Sequence, residues 1–119
     1  MPSLSTLDRD FRPFAEACLK AARGLDARFV VTSARRSTTD QRRLYNRYLK
    51  GQSPFPALPP GRSQHERGLA FDMVRLNVDP QADDLLDEVG AAWRAAGGVW
   101  GGSVDPVHFE APKAWTGRR

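Results

Sequence analysis

The apolar residues of this 119-residue chain come in short stretches of two kinds, separated by glycine and proline. Some recur at three- and four-residue steps, as on one face of a helix, and others are β-branched runs typical of strands. No apolar run approaches the ~20 residues of a membrane span. We therefore predict one α+β domain over residues 1–119, with about three helices packed on a small, mainly antiparallel sheet.

Three segments have helical spacing and four have strand character. The helices are expected at residues 3–25, 37–49 and 79–96, each with a capping side chain before it and a glycine near its end. The proline-rich stretch 51–62 is predicted to be a loop, and residues 112–119 a tail whose last four, TGRR, are frayed. The strands are expected at 28–33, 68–76, 99–100 and 107–111.

Composition excludes several kinds of chemistry. A single cysteine, Cys18, can form neither an internal disulfide nor a four-cysteine metal site. The net charge of +4 suits an anionic partner, but the 15 arginines are spread through the chain among acids, so we expect no nucleic-acid binding. The N-terminal segment lacks the apolar core of a secretory signal, which predicts a chain made in the cytoplasm and not inserted in a membrane.

The two histidines of the chain both lie beside carboxylates at the edges of predicted strands. His65 precedes Asp72 by seven residues, and His108 follows Asp105 by three. A catalytic zinc ion takes three His or carboxylate ligands and keeps a fourth position open, and His65, Asp72 and His108 could supply that set. Asp105 is then the candidate general base. By residue type alone, structural histidines held by hydrogen bonds remain the alternative.

Three sequence blocks resemble the peptidoglycan zinc peptidases, a family that includes D-Ala-D-Ala carboxypeptidases and phage L-alanyl-D-glutamate endopeptidases. Ser63 to Asp72 matches S-x-H-x-x-G-x-A-x-D, and Asp105 to Glu110 matches D-x-x-H-F-E. The segment Val31 to Ser37 reads VTSARRS and is followed by Gln41 and by Leu44-Tyr45. It is similar to the family pattern T-S-G-x-R-S…Q…L-Y, with Ala34 in place of the glycine. The blocks follow the family order and cover about residues 30–111.

The resemblance implies a role for each matching residue. One zinc ion would be bound by His65, Asp72 and His108, and Asp105 would take a proton from the attacking water and pass it to the leaving amine. Arg36 would hold a substrate oxygen and stabilise the charge that develops on it. Other residues could bind substrate or support the ligands, each with a purely structural role as the alternative: Ser63, Gln41, Glu110 and Trp100. Glu66 and Arg67 are expected to face solvent.

The implied function is hydrolysis of the peptidoglycan stem peptide by a monomer. The sequence Trp100-Gly101-Gly102 before the last block is similar to the phage endolysin branch, which favours the L-Ala/D-Glu bond. A D-Ala-D-Ala carboxypeptidase and a zinc-holding module that binds without cleaving remain alternatives. Without a secretory signal, such an enzyme would stay in the host cytoplasm until it is released to the wall, or would be carried in a virion.

Overall fold

The computed structural model describes residues 2–116, so Met1 and the residues 117–119 of the expected tail lie outside the description. Three helices pack on a four-stranded antiparallel sheet, which confirms the predicted α+β class. No helix within the described residues is both long and apolar enough to cross a membrane. In chain order the elements are α1 (Arg12–Leu25), β1 (Phe29–Ser33), α2 (Thr38–Leu49), β2 (Ala70–Arg75), α3 (Asp84–Ala95), β3 (Val99–Gly101) and β4 (Asp105–Glu110).

The sheet has the strand order β1-β2-β4-β3, which places β2 and β4 at its centre. Successive side chains of a strand point to opposite faces of the sheet. Phe71 of β2 lies opposite Phe109 of β4, and these rings stack with centroids 5.3 Å apart. Phe11, the N-cap of α1, and Trp93 of α3 both contact Phe71, so α1 and α3 cover this face and bury the core there.

The first helix starts later than its spacing predicts. Residues Leu4–Thr6 form a separate 3-10 turn, and α1 begins only at Arg12. The carboxylate of Asp8 accepts hydrogen bonds from the backbone N–H groups of Asp10 and Phe11, which closes a turn between the two helical pieces. Pro13 then occupies the first turn of α1, where a missing N–H costs nothing.

The third helix also divides at an acidic side chain. Pro80–Ala82 is a 3-10 turn, and α3 begins at Asp84, after the N-cap Asp83, whose carboxylate accepts from the N–H groups of Leu85 and Leu86. The last strand begins earlier than expected, at Asp105, because that residue still pairs with Gly101 beyond a register shift in the β3–β4 pair. Residues 51–63 form a loop as predicted, and the 3-10 turn Gln64–Arg67 after it was not foreseen.

Candidate metal centre

Strand register brings an aspartate and a histidine together on the face of the sheet opposite the core. Asp72 of β2 lies directly across from His108 of β4. Their neighbours Phe71 and Phe109 point into the core, so Asp72 and His108 point the other way. Nδ1 of His108 is 3.3 Å from Oδ1 of Asp72. Two of the three ligands expected from the sequence are thus adjacent because of the β2–β4 pairing.

The third residue, His65, comes from the 3-10 turn that follows the proline-rich loop. Ser63 caps this turn by accepting from the N–H of His65, and the side chain of Glu66 completes a capping box. The turn ends at Gly68, which has a left-handed φ of 72°. Nε2 of His65 then lies 3.1 Å from Oδ1 of Asp72. One nitrogen from each histidine and one Asp72 oxygen all lie within 4.8 Å of one another.

Gly68 provides a test of how closely the turn that carries His65 packs against the segment before α1. A Cβ at Gly68 would lie 2.7 Å from the backbone nitrogen of Asp8, whereas a Cβ at Gly61, which also has a positive φ, would meet nothing within 4 Å. Both Gly→Ala variants pay the left-handed penalty of roughly 1–2 kcal/mol, but only Gly68→Ala adds a backbone clash. We expect Gly68→Ala to lower the free energy of unfolding by at least about 1 kcal/mol more than Gly61→Ala in urea denaturation. Equal losses would contradict the close packing described.

In its neutral form, each imidazole turns a lone pair toward Asp72. Nδ1 of His65 lies 2.8 Å from the carbonyl oxygen of Ala34, so this nitrogen carries the proton and Nε2 is left with a lone pair. Nε2 of His108 lies 2.9 Å from Oε1 of Glu110, which by the same reasoning directs the lone pair of Nδ1 toward Asp72. Metal-binding histidines have their second nitrogen held by such partners. Three electron-rich atoms facing one point fit a divalent cation.

The ionisation of these groups reflects the same concentration of negative charge. Burial by itself raises the pKa of Asp72, but its contacts with His108 and His65 outweigh burial and hold the pKa well below its usual range. Burial lowers the pKa of His108, whereas Asp72 and Glu110 act more strongly and raise it to about 9. A proton therefore supplies positive charge when no metal does, and a metal must displace it.

Asp105 differs from Asp72 because the attraction of His108, His65 and Arg36 does not offset its burial. Its Oδ1 atom is buried and forms no hydrogen bond within the described residues. Burial, followed by repulsion from Asp72, raises the pKa of Asp105 to about 6. A carboxylate with a pKa near neutrality and an unused oxygen in a cleft can accept a proton during a reaction.

Three side chains hold the guanidinium of Arg36, and they belong to Asp72, Ser33 and Gln41. Its Nη2 donates to Asp72 Oδ2 at 3.1 Å, and Nε and Nη2 both donate to the hydroxyl of Ser33. Nη1 donates to Gln41 Oε1 at 2.8 Å. These bonds use four of the five N–H groups of the guanidinium and leave one on Nη1. Arg36 thus orients Asp72, with one donor available to a substrate oxygen.

Gln41 is buried between Arg36 and the proline-rich loop. Its Nε2 donates to the carbonyl of Leu58 at 2.7 Å, while its Oε1 accepts from Arg36. Gln41→Leu removes both bonds and leaves two part-buried polar groups without this partner, so we expect a loss of about 1–2 kcal/mol of unfolding free energy. Gln52→Leu, at an exposed position of the same region, serves as the control and should stay within about 0.5 kcal/mol. An unchanged free energy of unfolding in Gln41→Leu would show that these two hydrogen bonds do not contribute to stability.

Four of the remaining expectations have clear structural outcomes. Glu110 contacts His108, and Ser63 supports His65 through the backbone of its turn. Trp100 lies outside the cleft lining: its ring packs on Gly90 of α3, and its Nε1 donates to the carbonyl of Pro106. Glu66 is partly exposed, and its carboxylate also accepts from the backbone N–H groups of Gly61 and Ser63.

The centre lies at the bottom of a cleft of about 480 Å³ between the sheet, α2 and the proline-rich loop. Sequence reasoning missed Ser33 and the Ala34 carbonyl, which hold Arg36 and His65. The TSARRS block, which contains Ser33, could have suggested that side chain but not the backbone carbonyl. It also missed the apolar wall of the cleft, formed by Leu44, Tyr48, Phe55, Pro56 and Leu58.

A protein-family model described as VanY, D-alanyl-D-alanine carboxypeptidase, matches residues 5–96, which is most of the chain. The chain belongs to the VanY family. The match includes His65 and Asp72 and ends before β3. It therefore leaves uncovered β4, the strand that carries both Asp105 and His108. A sequence comparison with curated proteins gives no match.

Solved structures share the fold of this VanY-family chain. The D,D-dipeptidase VanXYg, bound to a D-Ala-D-Ala phosphinate analog, has a TM-score of 0.65 at 24% identity over 88% of this chain, which spans 50% of the VanXYg chain. A VanY D,D-pentapeptidase variant in complex with Zn(II) gives 0.64 at 22% identity, over 88% of this chain and 72% of its own. The Serratia marcescens L-Ala D-Glu endopeptidase ChiX gives 0.56 at 23% identity, over 93% of this chain and 90% of its own.

Proposed function

We propose that this chain is a zinc peptidase that hydrolyses the stem peptide of bacterial peptidoglycan, with residues 1–119 acting as one catalytic domain. The observation that carries the proposal is the convergence of His65 Nε2, Asp72 Oδ1 and His108 Nδ1 near the half-buried Asp105, whose buried Oδ1 has no hydrogen-bond partner among the described residues. One zinc ion held there would polarise a peptide carbonyl and make a water molecule acidic near pH 7. The ligand atoms are the ones left free by the outer hydrogen bonds of both histidines.

The side chains of the cleft have distinct parts in this mechanism. Asp105 accepts the proton of the attacking water and delivers it to the leaving amine, which suits its pKa of about 6. Arg36 fixes the second oxygen of Asp72 and offers its one unused N–H to the oxygen that gains charge. The presence of Asp105 favours an enzyme over a module that only binds, because such a module has no need of a buried and unpartnered carboxylate.

We propose the L-Ala/D-Glu bond as the bond cut. Arg36 is the only Lys or Arg among the described residues that line the cleft, and four of its donors are already taken. A substrate that ends in a free carboxylate calls for a cation of its own, whereas an internal peptide bond does not. The near-complete coverage of ChiX, an L-Ala D-Glu endopeptidase, supports the same choice.

A D-Ala-D-Ala carboxypeptidase is the second candidate. The description of the matching family model and the D,D-peptidases among the structural neighbours favour it. Purified sacculi incubated with the zinc-loaded chain and analysed by mass spectrometry distinguish the two functions. New amino termini on D-Glu support the endopeptidase, and free D-Ala supports the carboxypeptidase. Release of neither product would overturn the enzymatic proposal.

A further inference from the structure

Positive charge is concentrated in one part of the chain. Residues 35–67 contain eight of the 18 Lys and Arg but only two of the 14 Asp and Glu, a net charge of +6. The rest of the chain contains ten cations and twelve acids, a net charge of −2. Residues 35–67 comprise α2, the proline-rich loop and the turn that carries His65. The excess of cations therefore belongs to the segment that contributes α2 and the proline-rich loop to the cleft.

Most of these cations are exposed and without an acidic partner. We call six of them the cation surface. Within the described residues five of the six form no ion pair, and Arg43, which is 69% exposed, contacts only the exposed Asp40. Exposed ion pairs of that kind contribute little to stability. The members of the cation surface are Arg42, Arg43, Arg47, Lys50, Arg62 and Arg67.

The helix α2 separates a cleft side from a charged side. Leu44 and Tyr48 line the cleft, while Arg43, Arg47 and Lys50 follow one another at steps of four and three and form a row on the exposed side. The helix dipole favours cations in the last turn of a helix. It does not account for Arg43 in the middle of α2, nor for the cations outside the helix. Within the described residues, the contacts of the cation surface do not indicate a structural role for its charges.

We propose that the cation surface binds the carboxylates of peptidoglycan and holds the polymer beside the cleft, a role that rests on the proposed function. Stem peptides present carboxylates repeatedly along the polymer, so several weak contacts act together. Peptidoglycan is favoured over nucleic acid because the cation surface adjoins the cleft that, under the proposed function, takes the stem peptide. The occupant is thus the substrate polymer itself, bound outside the centre.

The test compares two triple variants that remove the same charge. Arg43→Gln, Arg47→Gln and Lys50→Gln alter the cation surface, and Arg9→Gln, Arg12→Gln and Lys20→Gln alter exposed positions before and within α1. Glutamine preserves helix propensity, and circular dichroism checks the fold. Both triples are made in the Asp105→Asn chain with zinc present, so that the sacculi stay intact. Binding is measured by co-sedimentation with sacculi stripped of phosphate polymers, at low and at high salt.

We expect the cation-surface triple to bind stripped sacculi roughly tenfold more weakly at low salt, and the difference to shrink at high salt, while the α1 triple binds like its parent. Equal losses in both triples, or no loss in either, would overturn the proposal. So would binding that disappears when the phosphate polymers are stripped, or displacement of the chain from sacculi by an equal mass of duplex DNA. Because binding is measured without cleavage, its result stands whether or not the wild-type chain releases any fragment.

Discussion

The Asp105→Asn variant is expected to hydrolyse the stem peptide about a thousandfold more slowly than the wild-type chain while it binds zinc as before. Asparagine keeps the size of the side chain but cannot accept the proton of the attacking water. Asp105 is not among the three residues whose ligand atoms converge, so metal content should not change. The measurement is kcat/KM by chromatography of muropeptides, with zinc content determined on the same samples.

A second readout separates a catalytic Asp105 from a structural one. Because the folded-state pKa of Asp105 lies near 6, above the 3.8 of an ordinary aspartate, the folded chain holds this proton more tightly than the unfolded chain. Stability from this group is therefore complete below about pH 4 and is lost as the pH rises through 6. Asp105→Asn should raise the free energy of unfolding of the metal-free chain at pH 8 by about 1 kcal/mol after allowance for screening.

Asp87→Asn, an exposed carboxylate of α3, is the matched control and should leave both activity and stability unchanged. An Asp105→Asn variant that keeps a tenth or more of the activity would contradict the assignment of the base. A variant that loses activity and stability together would indicate that Asp105 supports the fold and not the reaction.

The Asp83→Ala variant is expected to give the largest loss of stability, about 3–5 kcal/mol of unfolding free energy. The carboxylate of Asp83 is fully buried and accepts from Arg75 at 2.7 Å and 3.1 Å. It also caps α3 through the N–H groups of Leu85 and Leu86. Alanine removes the cap and leaves Arg75 with Asp26 as its remaining carboxylate partner. Urea denaturation of the metal-free chain measures the effect without any contribution from a bound ion.

Asp79→Ala provides the comparison, because Asp79 caps only an exposed 3-10 turn through the N–H of Gln81. Its loss should stay near 1 kcal/mol or less. If Asp83→Ala cost no more than Asp79→Ala, the buried ion pair would not be a main support of the α3 start. Asp83→Asn, which keeps an oxygen that can cap the helix, should fall between the two.

The predicted fold class was correct because it depended on local periodicity, which survives in any fold that buries one face of each element. The starts of α1 and α3 were wrong for a common reason. Serine at position 3 and aspartate at position 79 each cap a short 3-10 turn, whereas α3 begins after a second cap, Asp83, and α1 begins after Phe11 without a side-chain cap. Residue type alone cannot choose between two caps a few positions apart.

The candidate centre shows the same division between local and long-range information. The histidines and their neighbouring acids could be selected by residue type and motif, whereas the closeness of Asp72 and His108 follows from the β2–β4 register. The carbonyl of Ala34, which fixes the orientation of His65, has no sequence signal because every residue has a carbonyl. Trp100 was a candidate for the cleft only through its proximity in sequence to Asp105.

The zinc site formed by His65, Asp72 and His108 is tested most directly by the zinc stoichiometry of the purified chain. This stoichiometry is measured by elemental analysis and by calorimetric titration of the metal-free form. We expect one zinc ion per chain, and we expect zinc binding to be lost in His65→Ala and in Asp72→Asn. Zinc binding should be retained in Ser33→Ala, because that change removes a partner of Arg36 and not a ligand. A chain that hydrolyses its substrate fully without metal, or that binds zinc equally well after both ligand replacements, would contradict this zinc site.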